Sequence, residues 1–124
     1  MRDTGALTEL GHPRFFLGSD SAPHPSMKKS TSSPDHGCAA GIYTSPILLP
    51  LTAHLLESFG ALDQLEGFVS KNGRAFYKKE IGTADGNSIV RLRRRKAGVA
   101  GTYSLKEVVI VSFWAGKELE WEID

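Results

Sequence analysis

A single cysteine, Cys38, stands among the 124 residues of this chain. That excludes an internal disulfide framework and fits a reducing compartment. Long apolar runs are missing too: none approaches the roughly 18 residues that would read as a membrane span. Neither sign of charge dominates, with 15 Lys and Arg against 14 Asp and Glu and a formal net charge of +1. A protein that held nucleic acid through its overall field would show a basic excess. The opening ten residues, MRDTGALTEL, lack an apolar core and are poor in arginine and serine, so neither a signal nor a transit peptide is expected. What remains is a cytoplasmic protein of one modest domain, with no membrane and no nucleic-acid partner.

The chain begins with residues 2–10, which read as the last turns of a helix, with Leu7 and Leu10 on one face and Gly11 as its stop. Arg14 to Ser19 is short, aromatic and apolar without alternation, as in a strand buried on both faces of a parallel sheet. From Asp20 to Thr44, prolines 23, 25 and 34, a serine run and glycines 37 and 41 mark a long loop. Loops of that length in compact domains are often functional. Ser45-Pro46 offers an N-cap and a proline at N1 for a helix running to Phe59, with Leu48, Leu51, Leu55 and Phe59 on one face and Gly60 as its stop. Pro50 predicts a tightened or bent first turn. A second helix is expected from Leu62 to about Lys71, closed by Asn72-Gly73, with a helical turn at Ala75 to Tyr77. Three short strands follow, Ile89 to Arg95, Glu107 to Phe113 and Leu119 to Ile123, the first with one wet face. The predicted architecture is α/β, with residues 1–80 as its body and 81–124 as a small antiparallel β extension.

Chemistry concentrates where the first apolar run ends, at FFLGSDSAPHP, residues 15–25. In α/β folds the ligand sits at the carboxyl ends of the strands, and Asp20 falls there. A carboxylate at that point can ligate a metal or move a proton. His24, past Pro23, can bind a metal or an anionic group. The plainer alternative, an Asx-turn made by an aspartate ahead of Ser-Ala-Pro, fits the spacing as well.

Four landmarks in order, FFLGSDSAPHP, DHGCAAGIYTSP, GALDQLEGFVSKNGRAFY and VVIVSFWAGKELEW, resemble the dihydroorotase family of the amidohydrolase superfamily, in its homodimeric bacterial and fungal form. The resemblance covers residues 14–124. It implies the C-terminal part of a metal-bearing (β/α)8 or TIM barrel. It also implies a zinc-dependent hydrolase of pyrimidine synthesis, interconverting N-carbamoyl-L-aspartate and L-dihydroorotate. By the same resemblance Asp20 closes the eighth strand, binds the more exposed of two zinc ions and shuttles the proton. His24 meets the substrate carboxylate, the backbone of Ala39 contacts the substrate ring, and Ala22 lines the pocket. The serine-rich stretch from Lys28 to Pro34 is a little longer than the family's and is expected at the surface.

The family's remaining ligands have no counterpart here: no His-x-His pair occurs, nor the bridging lysine, nor the two later histidines. The resemblance thus spans roughly the last third of the family, from within the helix before strand eight. A catalytic zinc takes three or more protein ligands, so the chain alone is expected to hold no stable zinc and to be inactive. The alternative is a truncated, non-catalytic paralogue that acts as an interaction module, or forms a homodimer through the family's helices. A third reading, nucleic-acid binding through Arg91 to Lys96, competes with a strand bearing one charged face. His36 and Cys38 read as loop residues rather than a zinc pair, His54 as a half-buried helix residue, and Trp114 and Trp121 as packing aromatics.

Overall fold

The computed structural model describes residues 11–29, 38–79 and 89–124. The expected helix at 2–10, His36, and most of the serine-rich stretch lie outside the described residues. Residues 12–20 run from a turn into an extended segment that is not a β-strand. This corrects the strand expected at Arg14 to Ser19. A strand needs a ladder, and among the described residues this stretch has one backbone bond to another element, Leu17 N–H to the carbonyl of Phe68 at 2.9 Å. Phe15 is 47% exposed, so the segment is not covered on both faces.

A 3-10 turn at Ser45–Ile47 leads into helix α1, Leu48–Ser58. Pro50 does not break it. It sits third in α1, where its missing N–H would have had no intrahelical partner. The helix ends in a Schellman motif: Gly60 N–H donates to Glu57 and Ala61 N–H to Leu56, both at 2.9 Å, with Gly60 at φ +73°. Ala61 and Leu56 are both buried beneath that turn. The covered stripe is Pro50, Leu51, Thr52, Ala53 and Leu56, whereas Leu55 and Phe59 are exposed. The apolar face is thus rotated from the expected one, because α1 packs on the C-terminal strands through its Leu51 side.

The second helical run does not close at Asn72-Gly73. It passes from a 3-10 turn at Leu62–Gln64, through a π-helical stretch at Gly67–Lys71, into helix α2, Asn72–Phe76. Both expected terminators are used sideways instead. The Asn72 amide donates to the carbonyls of Phe15, at 2.9 Å, and His12, at 3.4 Å. Gly73 lets the Phe16 ring approach so closely that a Cβ would lie 3.3 Å from it. The π stretch supplies the Phe68 carbonyl that accepts from Leu17, so this helix grips the extended segment before Asp20.

Four strands follow rather than three: β1 (Leu92–Gly98), β2 (Thr102–Leu105), β3 (Val108–Val111) and β4 (Glu118–Ile123). They form two antiparallel pairs, β1 with β4 and β2 with β3. Thr102–Leu105 read as a link because it carries one aliphatic side chain. Its pairing is imposed by the two-residue turn at Lys106 and Glu107, with Lys106 at φ +55°. The core joins Ile47 and Leu51 of the helical part to Val99, just after β1, and Leu119 of β4, with Phe113 and Trp114 against it. Among the described residues no helix is long and apolar enough to cross a membrane.

Candidate functional site

Asp20 ends the extended segment at φ +42°, in the left-handed region. Few residues other than glycine enter that region, and Asp and Asn are the commonest of them. The bend is held from both sides. Ahead of it, the Ser19 hydroxyl accepts the Ser21 N–H at 3.4 Å, spanning Asp20. Beyond it, Ser21 and Ile42 form a parallel bridge, and Ala22 N–H donates to the Ile42 carbonyl at 2.9 Å. The Ser21 hydroxyl then accepts two backbone N–H groups, from Thr44 at 3.1 Å and Ser45 at 3.2 Å.

Those two donors are free N–H groups at the start of the 3-10 turn, where no local side chain caps. The expected cap, Ser45, is instead a donor. The capping oxygen comes from 23 residues upstream, next to Asp20.

Two arms of the loop are laced together below this bend. Lys29 Nζ donates to the carbonyls of Ala39, at 2.6 Å, and Gly41. Ala39 N–H donates to Lys28 at 2.9 Å. Gly41 has φ +101°, and a Cβ there would sit 2.4 Å from that of Ala22. Glycine is required on both counts, and the contact sets Ala22 against the 39–41 arm. Tyr43 extends the lacing to the strands: its carbonyl accepts the Phe113 N–H at 2.9 Å, and its ring meets Tyr103 edge-on.

The structure therefore gathers Ala22 and Ala39 into one corner with the Asp20 bend, with His24 half-buried on the connecting arm. Asp20 itself is exposed. The N–H of Ala39 is spent on Lys28 and its carbonyl takes the Lys29 ammonium. That carbonyl also accepts from the Cys38 thiol at 3.8 Å, so the Ala39 backbone has little left to offer a ligand. Sequence reading missed Ser21, Lys29 and Gly41. Gly41 carried a signal, as a glycine closing the Cys-Ala-Ala run. Ser21 and Lys29 carried none, because their partners are distant in sequence.

A catalytic zinc takes three protein ligands. Among the described residues no three His, Cys, Asp or Glu side chains gather where one ion could be held. Asp20 by itself does not fit a zinc centre, so no chemical step is derived through one.

No family model matches the chain. Individual proteins do. A dihydroorotase from Mycosarcoma maydis is 42% identical over 98% of this chain and 42% of its own length. The crystal structure of dihydroorotase from Saccharomyces cerevisiae in complex with 5-fluoroorotic acid superposes with a TM-score of 0.81 at 33% identity, over 98% of this chain and 32% of that one. Over nearly its whole length the chain is similar to dihydroorotases. Dihydroorotase from Campylobacter jejuni gives a TM-score of 0.74 at 31% identity, over 97% of this chain and 33% of its own. This chain thus spans only about a third to two-fifths of these three dihydroorotases.

The basic run also takes its place in this dihydroorotase-like chain. Arg93 pairs with Glu122 and Asp124, Arg94 with Glu57, Arg95 with Glu122, and Lys96 with Glu118 and Glu120. Those four cations are matched by acids of β4, of the residue after it and of α1, which removes the unmatched basic stripe that the nucleic-acid reading needs.

Proposed function

We propose that this chain is the C-terminal third of a dihydroorotase and carries one corner of its active site. In this reading the extended segment at 15–19 is the eighth strand of a (β/α)8 barrel, awaiting its neighbours. Residues 1–80 complete the barrel body and 81–124 form its β extension. The reaction is the interconversion of N-carbamoyl-L-aspartate and L-dihydroorotate, in a cytoplasmic enzyme of pyrimidine synthesis.

Asp20 moves the proton. It takes one from the attacking water in hydrolysis and returns one to the leaving hydroxyl in ring closure. His24 holds the substrate carboxylate, and Ala22 and Ala39 wall the ring. The family's two zinc ions need ligands beyond the described residues, and the chain alone is inactive. In the whole enzyme a homodimer is expected.

The observation that carries this reading is the left-handed bend at Asp20, fixed by hydrogen bonds on both sides. Backbone held in a sparsely populated conformation clusters at active sites. The exposed aromatics Phe15, Phe76 and Tyr77 support it as well, because they offer apolar surface beside the segment that lacks strand neighbours.

The test is a hybrid enzyme in which this chain replaces the matching third of the Saccharomyces cerevisiae relative. Zinc-loaded hybrid is expected to hydrolyse dihydroorotate, and Asp20→Asn to lower kcat by roughly a hundredfold or more. The 124-residue chain alone is expected to show no turnover with added zinc. Turnover by the chain alone, or an Asp20→Asn hybrid of full activity, would overturn the reading.

A further inference from the structure

Ser21 emerges from the geometry as more than a neighbour of Asp20. We propose that Ser21 is a positioning residue: its hydroxyl ties the Asp20 bend to the start of the 3-10 turn that leads into α1 and thereby fixes where the carboxylate points. This rests on the role proposed for Asp20.

The argument starts from what the bend costs. A non-glycine residue at φ +42° is held against its own preference and relaxes unless its surroundings prevent it. Upstream, the restraint is one long hydrogen bond, Ser21 N–H to Ser19 Oγ at 3.4 Å, with the helix grip on Leu17 behind it. Downstream, three contacts converge on residues 21 and 22. The Ser21 hydroxyl accepts from Thr44 and Ser45, and Ala22 N–H donates to Ile42. Two of those three depend on one oxygen atom.

The far end of the tie is rigid. Thr44 is buried, Ile47 lies in the hydrophobic core, and Tyr43 is bonded to Phe113. Pro46 fixes the backbone between. Ser21 thus transmits the position of the core to the residue after Asp20. Few other residue types can do this. Alanine and glycine lack the oxygen, and a longer polar side chain places its acceptor too far from Cα. Threonine keeps both the oxygen and its reach.

Ser21 holds no proton for the reaction in this scheme and contacts no substrate. Its loss acts through Asp20 alone, so the chemical step suffers while substrate capture by His24, Ala22 and Ala39 persists. A misplacement of about 1 Å in a reacting group can cost up to about a hundredfold in rate.

Two measurements test this, and they fail separately. In the hybrid enzyme, Ser21→Ala is expected to lower kcat by about tenfold to a hundredfold with KM within about twofold, and Ser21→Thr to restore most of the loss. In the full 124-residue chain, amide exchange at Thr44 and Ser45 is expected to accelerate on Ser21→Ala, and the Asp20 Cα chemical shift to move away from its left-handed value. Unchanged exchange and an unchanged Asp20 shift would overturn the proposal, even if the hybrid were inactive. So would an Ser21→Ala hybrid of full kcat, or equal losses in the alanine and threonine variants. An inactive parent hybrid, or an Asp20→Asn hybrid of full activity, would count against the proposed function, leaving exchange and chemical shift to judge the tie.

Discussion

Charge is handled in opposite ways at the two ends of this molecule. In the β1–β4 ribbon, Arg93, Arg94, Arg95 and Lys96 each meet an acid on β4, at Asp124 or on α1. At the other end, Asp20 sits on a constrained bend, and among the described residues no Lys or Arg forms an ion pair with it. Ribbon charges serve the fold: they are numerous and mutually matched. The corner spends its hydrogen bonds on backbone placement and leaves the carboxylate uncommitted. Matched charge marks scaffold, and an unmatched carboxylate on strained backbone marks a candidate for chemistry.

The contrast is broken most directly at Asp20, whose Asn variant carries the largest expected effect, on turnover. The next effect is on stability. Leu119 is 2% exposed in the shared core, so Leu119→Ala is expected to cost about 2–5 kcal/mol, read as a lower denaturant midpoint. Gly41→Ala divides the two regions more finely. It puts a Cβ against Ala22 and an L-residue at φ +101°, at an expected cost of about 1–3 kcal/mol. Amide exchange should place that loss at residues 20–22 and 38–42 and leave β1 and β4 protected as before. Uniform loss across both regions would abolish the distinction. The smallest effect belongs to the ribbon's charges. Arg95→Gln removes the pair between an exposed Arg95 and a half-buried Glu122, which keeps Arg93 as a partner, and is expected to change stability by less than about 1 kcal/mol, measured by denaturant unfolding at low and high salt.

Local signals in the sequence mapped well onto local structure. Gly60 stops α1 because a left-handed C-cap is a property of one residue, and Pro46 starts the turn before it for the same reason. Leu119 to Ile123 reads as a strand from its alternation and falls within β4. What escaped was whatever depended on a distant partner. Asn72-Gly73 has the composition of a helix stop, yet it docks the 12–16 segment and the helix runs on. Ser45 has the composition of an N-cap, yet Ser21 supplies the oxygen. Arg14 to Ser19 has the composition of a strand, and composition does not supply the neighbours a ladder requires. At the corner, the motif singled out Asp20 and Ala22 but not the bonds that hold the bend. The Lys29 clasp was not legible either, since a lysine at the head of a polar stretch looks like any solvated lysine.

That clasp makes the corner intolerant of small changes. One ammonium joins Lys29 to carbonyls ten and twelve residues further on, at Ala39 and Gly41. A single methyl group added at Gly41 would meet Ala22 and unseat the arm that carries both acceptors.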